Sequence, residues 1–231
     1  MTNNGTITAG SNVMDITGSG NVVIDWNSFN IAANEAVNFK NMQAVLNYVS
    51  GGSKSEIFGK LNGAVVNVFL VNPNGILFGK TAQVNVGQLT ASTRSLEKAD
   101  LNSFNGSLSP LDIGGAANVK ADIINLGKLK AGKLVLEGNN LSIIDAESLE
   151  VTDKSKITLR AGENINIGYE VTDKTTINVG DGKGNTHQVS DYGKGGGDKA
   201  SDVLSAVLVT DLKGSTKSIN DAMPVSYTHL R

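Results

Sequence analysis

Short apolar segments follow one another along this chain, either alternating with polar residues or running unbroken for a few positions. Asn21-Val22-Val23-Ile24-Asp25-Trp26, Glu35-Ala36-Val37-Asn38-Phe39 and Val65-Val66-Asn67-Val68-Phe69-Leu70-Val71 each have the length of a β-strand and not of a helix. Turn formers separate them: Gly18-Ser19-Gly20, Ser50-Gly51-Gly52-Ser53 and Asn72-Pro73-Asn74-Gly75. Alternation at Val84-Asn85-Val86-Gly87 sets a register in which Val68, Leu70, Ile76, Phe78, Val84, Val86 and Leu89 face a core and their polar neighbours face out.

The same texture repeats further on. Ala121-Asp122-Ile123-Ile124-Asn125-Leu126-Gly127 leads into Lys128-Leu129-Lys130-Ala131-Gly132 and Lys133-Leu134-Val135-Leu136-Glu137-Gly138, and it returns at Lys156-Ile157-Thr158-Leu159-Arg160-Ala161-Gly162 and Glu163-Asn164-Ile165-Asn166-Ile167-Gly168. A unit of one short strand and a Gly or Asn corner cannot bury its apolar face alone, but stacked units can. The pattern therefore predicts an all-β fold and favours a parallel β-helix over an antiparallel sandwich or barrel, whose strands also alternate. Parallel crossovers make such a helix right-handed.

Composition narrows this picture. Gly is abundant at 27 residues, Pro is confined to 3 positions and aromatic residues reach 5%, which suits tight corners around a thin core of Val, Ile, Leu and Ala. Charged residues make up 18% with a formal net charge of -2, so no cationic excess is available for a phosphate backbone, and nucleic acid is not an expected partner. With Cys 0 there is no disulfide framework and no thiolate chemistry. The opening Met-Thr-Asn-Asn-Gly lacks the basic region and apolar stretch of a signal peptide, so any export signal is expected outside this segment.

Catalytic constellations are hard to assemble. The histidines are His187, within a glycine-rich stretch, and His229, near the end, which gives neither a Ser-His-Asp set nor a metal site. Gly193-Lys194-Gly195-Gly196-Gly197-Asp198-Lys199-Ala200-Ser201 lacks the spacing of a phosphate-binding loop. Asp181-Gly182-Lys183-Gly184-Asn185 puts a lysine where a calcium loop needs an oxygen ligand. Asp122, Asp145, Glu147, Glu150 and Asp153 could line a groove of the kind that polysaccharide-active β-helices use, although carboxylates on a solvated face are the usual case. No cofactor or metal site is expected, and the chain is read as a non-enzyme.

Several blocks in residues 23–93 carry a more specific signal. In order they are Val-Ile-Asp-Trp-Asn-Ser-Phe-Asn-Ile, Ala-Val-Asn-Phe, Ser-Glu-Ile-Phe-Gly-Lys-Leu, Val-Phe-Leu-Val-Asn-Pro-Asn-Gly-Ile-Leu-Phe-Gly and Val-Asn-Val-Gly-Gln-Leu-Thr-Ala-Ser-Thr. Together they closely resemble the two-partner secretion domain of filamentous-haemagglutinin-type exoproteins. Two blocks match the family's motifs: Asn27, Ser28, Phe29, Asn30 and Ile31, and the signature turn Asn72, Pro73, Asn74 and Gly75. In that turn Pro73 presets φ, and Asn74 or Gly75 is suited to a positive φ.

The resemblance implies a right-handed parallel β-helix whose N-terminal end is covered by extra strands. It also implies a secretion-targeting role, in which a cognate outer-membrane transporter of the Omp85 type recognises the segment through periplasmic domains and the segment nucleates folding of a β-helical adhesin or haemagglutinin. The protein would then be secreted, or held at the surface of a bacterium with an outer membrane, after passing the periplasm. Host-cell or bacterial surface receptors would be further partners. The remaining functional readings are a directly adhesive fragment and a β-helical polysaccharide-active enzyme. Residues 1–180 are assigned to the β-helix, residues 181–200 to a glycine-rich loop or insertion and residues 201–224 to a continuation of the passenger. In that continuation Val203, Leu204, Val207, Leu208 and Leu212 fit a helix, and Ala206-Val207-Leu208-Val209 fits a strand equally well. Residues 225–231 resemble a translated sequencing adapter and are set aside.

Overall fold

The computed structural model describes residues 2–109, 120–144, 146–151, 156–167, 174–180, 186–192, 208–210 and 216–218. It is the parallel β-helix that the pattern predicts, with about six turns and little helix. After β1 (Thr2–Ala9), the first coil is β2 (Val13–Trp26) with residues 27–31. Coil 2 is β3 (Ala36–Lys40), β4 (Ala44–Val49) and β5 (Ser55–Ile57); coil 3 is β6 (Lys60–Val71) and β7 (Ile76–Phe78). Coil 4 holds β8 (Gln83–Ser92) and, after a short helix α1 (Lys98–Asn102), β9 (Ile123–Asn125). Coil 5 is β10 (Lys128–Ala131) and β11 (Leu134–Ile143), and coil 6 is β12 (Leu149–Glu150) and β13 (Ile157–Ile167).

Each coil has three sides, and each side stacks in parallel on the coil before it. Long strands serve two sides by bending: β2 turns at Gly18-Ser19-Gly20, where Gly20 has φ 61°. The repeat length is visible in polar side chains that meet between coils. On the first side Asn38 Nδ2 donates to Asp15 Oδ1 at 2.8 Å, 23 residues back, and Asn62 Nδ2 donates to Asn38 Oδ1 at 2.9 Å, 24 residues back.

Inside the coils, aliphatic side chains stack in register. Val22 pairs with Val45, Val45 with Val68, Val68 with Leu89, Leu89 with Leu134 and Leu134 with Ile157, and all six are buried. Each such side chain is worth roughly 1.5–3 kcal/mol when buried, but only its neighbours in the next coils can bury it. The core positions expected from alternation are observed as such: Val68, Leu70, Ile76, Phe78, Val84, Val86 and Leu89 all face inward and are buried.

The second side also buries its outward face. Ala44, Leu46, Phe69 and Val71 form a separate cluster there, with Val23 and Tyr48 alongside, beneath Leu96, Leu101, Phe104 and Leu108 of the segment that carries α1. This explains why β4 reads Ala-Val-Leu with no polar alternation: a strand covered on both faces becomes continuously apolar.

At the N-terminal end β1 pairs antiparallel with β2 from Thr2 opposite Ile24 to Ala9 opposite Met14, so the free edge of coil 1 is covered by an added strand. Beyond coil 6, β14 (Lys174–Gly180) and β15 (Thr186–Tyr192) form an antiparallel hairpin, so a strand occupies residues 186–192 of the glycine-rich stretch. Strand β16 (Leu208–Thr210) adds in parallel to Thr158, Leu159 and Arg160, so Leu208 and Val209 are in a strand, and β17 (Thr216–Ser218) pairs antiparallel with it; residues 203–207, 211 and 212 lie outside the described residues. Residues 225–231 lie outside the described residues.

Coil 1 is tied to coil 2 by a titratable contact. The Lys40 ammonium, 2.7 Å from Asp15 Oδ2, and then the Asn38 amide hold the Asp15 carboxyl below its ordinary pKa. A carboxylate with a depressed folded-state pKa contributes stability that is present above its unfolded-state pKa and lost as pH falls through the folded value. Acidification below about pH 4 is therefore expected to loosen coil 1, and Asp15→Asn should flatten that part of the stability–pH profile. Unfolding midpoints of the two proteins across this range check it; parallel profiles would contradict it.

Candidate functional site

The two motifs singled out in the sequence lie at one corner of the solenoid, where the second side turns into the third. Coil 1 contributes Asn27 and Ser28 to this corner, coil 2 contributes Gly51, Gly52 and Ser53, and coil 3 contributes the turn at residues 72–75. Ser50 N donates to Trp26 O at 2.9 Å, and Asn74 Nδ2 donates to Gly51 O at 2.6 Å, so coil 2 is gripped from both sides. Gly51 has no room for a side chain, because a Cβ built there would sit 1.8 Å from Asn27 O.

Asn72 organises the turn. Its side chain is fully buried; Nδ2 donates to Ser53 O and to Ser55 Oγ, both at 3.0 Å, and Oδ1 accepts from Asn74 N at 2.9 Å. Gly75 N donates to Asn72 O at 3.1 Å, closing a turn with Pro73 and Asn74 at its centre. The expected positive φ falls on Gly75, at 109°, and not on Asn74. The coil above is joined through Ile76 N to Asp122 O at 3.1 Å and Asn72 N to Ser92 O at 3.0 Å.

Within residues 27–31 the side chains alternate only from Ser28 onward. Asn27, Ser28 and Asn30 are exposed, whereas Phe29 and Ile31 are buried. Phe29 packs on Trp26 with ring centroids 5.2 Å apart at 55°. Asn30 Oδ1 accepts from Glu56 N at 2.8 Å, and Ile31 bridges in parallel to Ile57. Trp26 Nε1 donates to Asn47 Oδ1 at 3.1 Å, and Asn47 Nδ2 reaches Phe69 O at 3.3 Å, which spans coils 1 to 3 inside the core.

The structure thus brings both motifs together through coil 2. The sequence reading missed the residues between them: Gly51, Ser55 and Asn47 look ordinary until the coils are stacked. It also missed Arg94, Glu137 and Arg160, whose side chains meet on the outward face of the second side. A charged residue inside an apolar run, as at Glu137 after Leu134-Val135-Leu136, was the available signal.

Of the carboxylates considered for a catalytic groove, Asp122 and Glu150 lie in different coils with different partners. Asp122 Oδ1 is engaged by Asn140 N and Nδ2, both at 3.0 Å, while Glu150 lies on the first side, 3.8 Å from Lys130 Nζ. A cavity of about 480 Å³ on the first side includes Glu150 and Lys130 in its lining, with Asn85 and mostly small or apolar residues around them. Among the described residues no cluster of His, Cys, Asp or Glu is placed to hold a metal ion, and no helix is long and apolar enough to cross a membrane. Asp145, Asp153, His229, residues 181–185 and residues 193–201 lie outside the described residues, as does the side chain of His187.

Comparison with known proteins gives a consistent set of likenesses. The family model of the TPS secretion domain matches residues 1–204. Over 146 residues the chain is 37% identical to a heme/hemopexin-binding protein of Haemophilus influenzae strain KW20 / Rd, covering 61% of this chain and 16% of that protein. A second heme/hemopexin-binding protein of Haemophilus influenzae is 44% identical over 89 residues, covering 37% of this chain and 10% of that protein. The crystal structure of the HMW1 secretion domain from Haemophilus influenzae matches with a TM-score of 0.51 at 25% identity, covering 72% of this chain and 43% of that one.

Two predictions follow from the corner. Asn72→Ala leaves the buried Ser55 hydroxyl without its partner and frees Ser53 O and Asn74 N, and is expected to cost about 2–4 kcal/mol, whereas Asn74→Ala, at an exposed position, should cost about 1 kcal/mol or less; urea denaturation of both variants measures the difference, and equal costs would contradict the assignment. Gly51→Ala meets backbone and not a movable side chain, so a loss of about 2 kcal/mol or more is expected, with wild-type stability as the contrary result.

Proposed function

The chain belongs to the TPS secretion-domain family, and from that membership we propose that it is the targeting segment of a large secreted adhesin or haemagglutinin, recognised by a cognate outer-membrane transporter of the Omp85 type and nucleating folding of the β-helical passenger. The observation that carries this reading is the convergence of residues 27–31 and 72–75 on one corner of the first three coils. A motif that locks early coils together suits a segment that must fold first and present a template for later ones.

Such a segment ends in unpaired backbone at its growing edge, and each stacked coil supplies the donors and acceptors for the next. Recognition before folding draws on the same chemistry: an extended stretch can add to a partner's sheet edge, backbone pairing giving affinity and alternate side chains giving specificity. Residues 5–39 offer this, with the alternation of Val22, Ile24 and Trp26. In the folded chain Val22 and Ile24 are buried, so folding withdraws them.

The transporter's periplasmic domains should therefore bind a variant destabilised outside this stretch, Leu70→Ala at a fully buried position, more tightly than the native fold. Titration of purified periplasmic domains against both forms measures this. Tighter binding to the native fold would reject recognition of the unfolded segment.

A further inference from the structure

The outward face of the second side carries an apolar surface that the coils themselves do not cover. Leu46, Phe69 and Val71 on this face are buried by a strap, residues 93–109, through Leu96, Leu101, Phe104 and Leu108. The Phe104 ring meets Phe69 edge-on, with centroids 5.2 Å apart at 79°. Helix α1 within the strap has five residues, none of them buried, so it is too short to hold its own shape in water. Its position depends on what anchors the strap before and after it.

Arg94 does both. Nη1 donates to Ser109 O at 2.8 Å, Nε donates to Ser92 Oγ at 3.1 Å, and Nη2 donates to the Glu137 carboxylate. Thr93 N adds a bond to Glu137 O at 2.9 Å. Glu137 sits in coil 5, 2% exposed in its side chain, with Arg160 of coil 6 on its other oxygen at 3.4 Å. In register Ser92, Glu137 and Arg160 stack one above another on the outward face. Without Glu137 the Arg94 guanidinium, 10% exposed, would be a buried cation lacking its anion; it would turn to water and release the strap. In chain order the apolar face is complete at Val71 and the last strap residue packed on it is Leu108, but the counter-charge arrives only at residue 137.

We propose that Glu137 is a latch: the strap closes over coils 2 and 3 only when coil 5 has stacked, so the apolar face stays open in any state that has coils 1–4 alone. The latch makes closure of an early surface report the arrival of a later coil. It goes beyond the export reading and stands or falls separately from it, since it concerns the order in which one chain folds.

Pulse-labelled hydrogen exchange during refolding of the full chain tests the order. The amides of Leu101 and Ser103, bonded to Glu97 O and Ala99 O in the closed strap, should gain protection together with β11 and after β4 and β6. Protection simultaneous with β4 and β6, or earlier, would overturn the proposal. In the native state Glu137→Gln should speed exchange at Leu101 and Ser103 at least tenfold while β4 and β6 keep wild-type rates. Arg94→Met leaves Glu137 paired with Arg160, so it is expected to fold and to show the same local loss; unchanged strap exchange in that variant would equally overturn the latch.

Discussion

A coil of this solenoid satisfies almost nothing by itself. Its backbone donors and acceptors point along the stack, and its inward side chains reach burial only between the coils above and below, as the column from Val22 through Val45, Val68, Leu89 and Leu134 to Ile157 makes plain. Stability therefore resides in contacts between coils and has the nearest-neighbour character of repeat proteins. Register is the constraint on which everything else depends: a slip of one residue would turn each of these aliphatic side chains out of the core they share.

Seen this way, the corner motifs and the strap answer the same need. At the corner, Asn72 and Asn74 of coil 3 hold coil 2 by side-chain hydrogen bonds to Ser53, Ser55 and Gly51, fixing register where the chain bends and regular strand pairing lapses. On the second side, Arg94 and Glu137 join coils 4 and 5 through a charge pair that also seats the strap. The polar residues that look expendable in an aliphatic sequence are the ones that set how coils sit on each other. For a segment of the TPS secretion-domain family this gives a stack whose earliest coils are cross-linked by the Trp26–Asn47–Phe69 chain within and by residues 27–31 and 72–75 at the corner.

Much of the fold was legible because strand periodicity is a local signal. Val84-Asn85-Val86 announces which side chains face inward, and the Gly-Ser-Gly and Asn-Pro-Asn-Gly punctuation announces where coils bend. The corner was legible in part: resemblance pointed to residues 27–31 and 72–75, and turn chemistry allowed the positive φ to fall on Asn74 or Gly75. What joins the two motifs was not, since Gly51 matters only because Asn27 O lies against it, across a coil. The Arg94–Glu137–Arg160 group was hidden for the same reason, its partners being 43 and 23 residues apart. The doubly buried β4 could be seen as an unalternating run, but its outward cover, Phe104 and Leu108, comes from a segment with little pattern of its own.

The central claim, that side chains at the corner bind coil 3 to coil 2, is tested most directly by a double-mutant cycle between Ser55 and Asn72, which are both fully buried and meet at 3.0 Å. Denaturant unfolding of Ser55→Ala, Asn72→Ala and the double variant yields the coupling energy. A coupling of about 1 kcal/mol or more is expected, with the double variant little worse than Asn72→Ala alone. Strictly additive single effects would show that the two residues do not act together and would contradict the account.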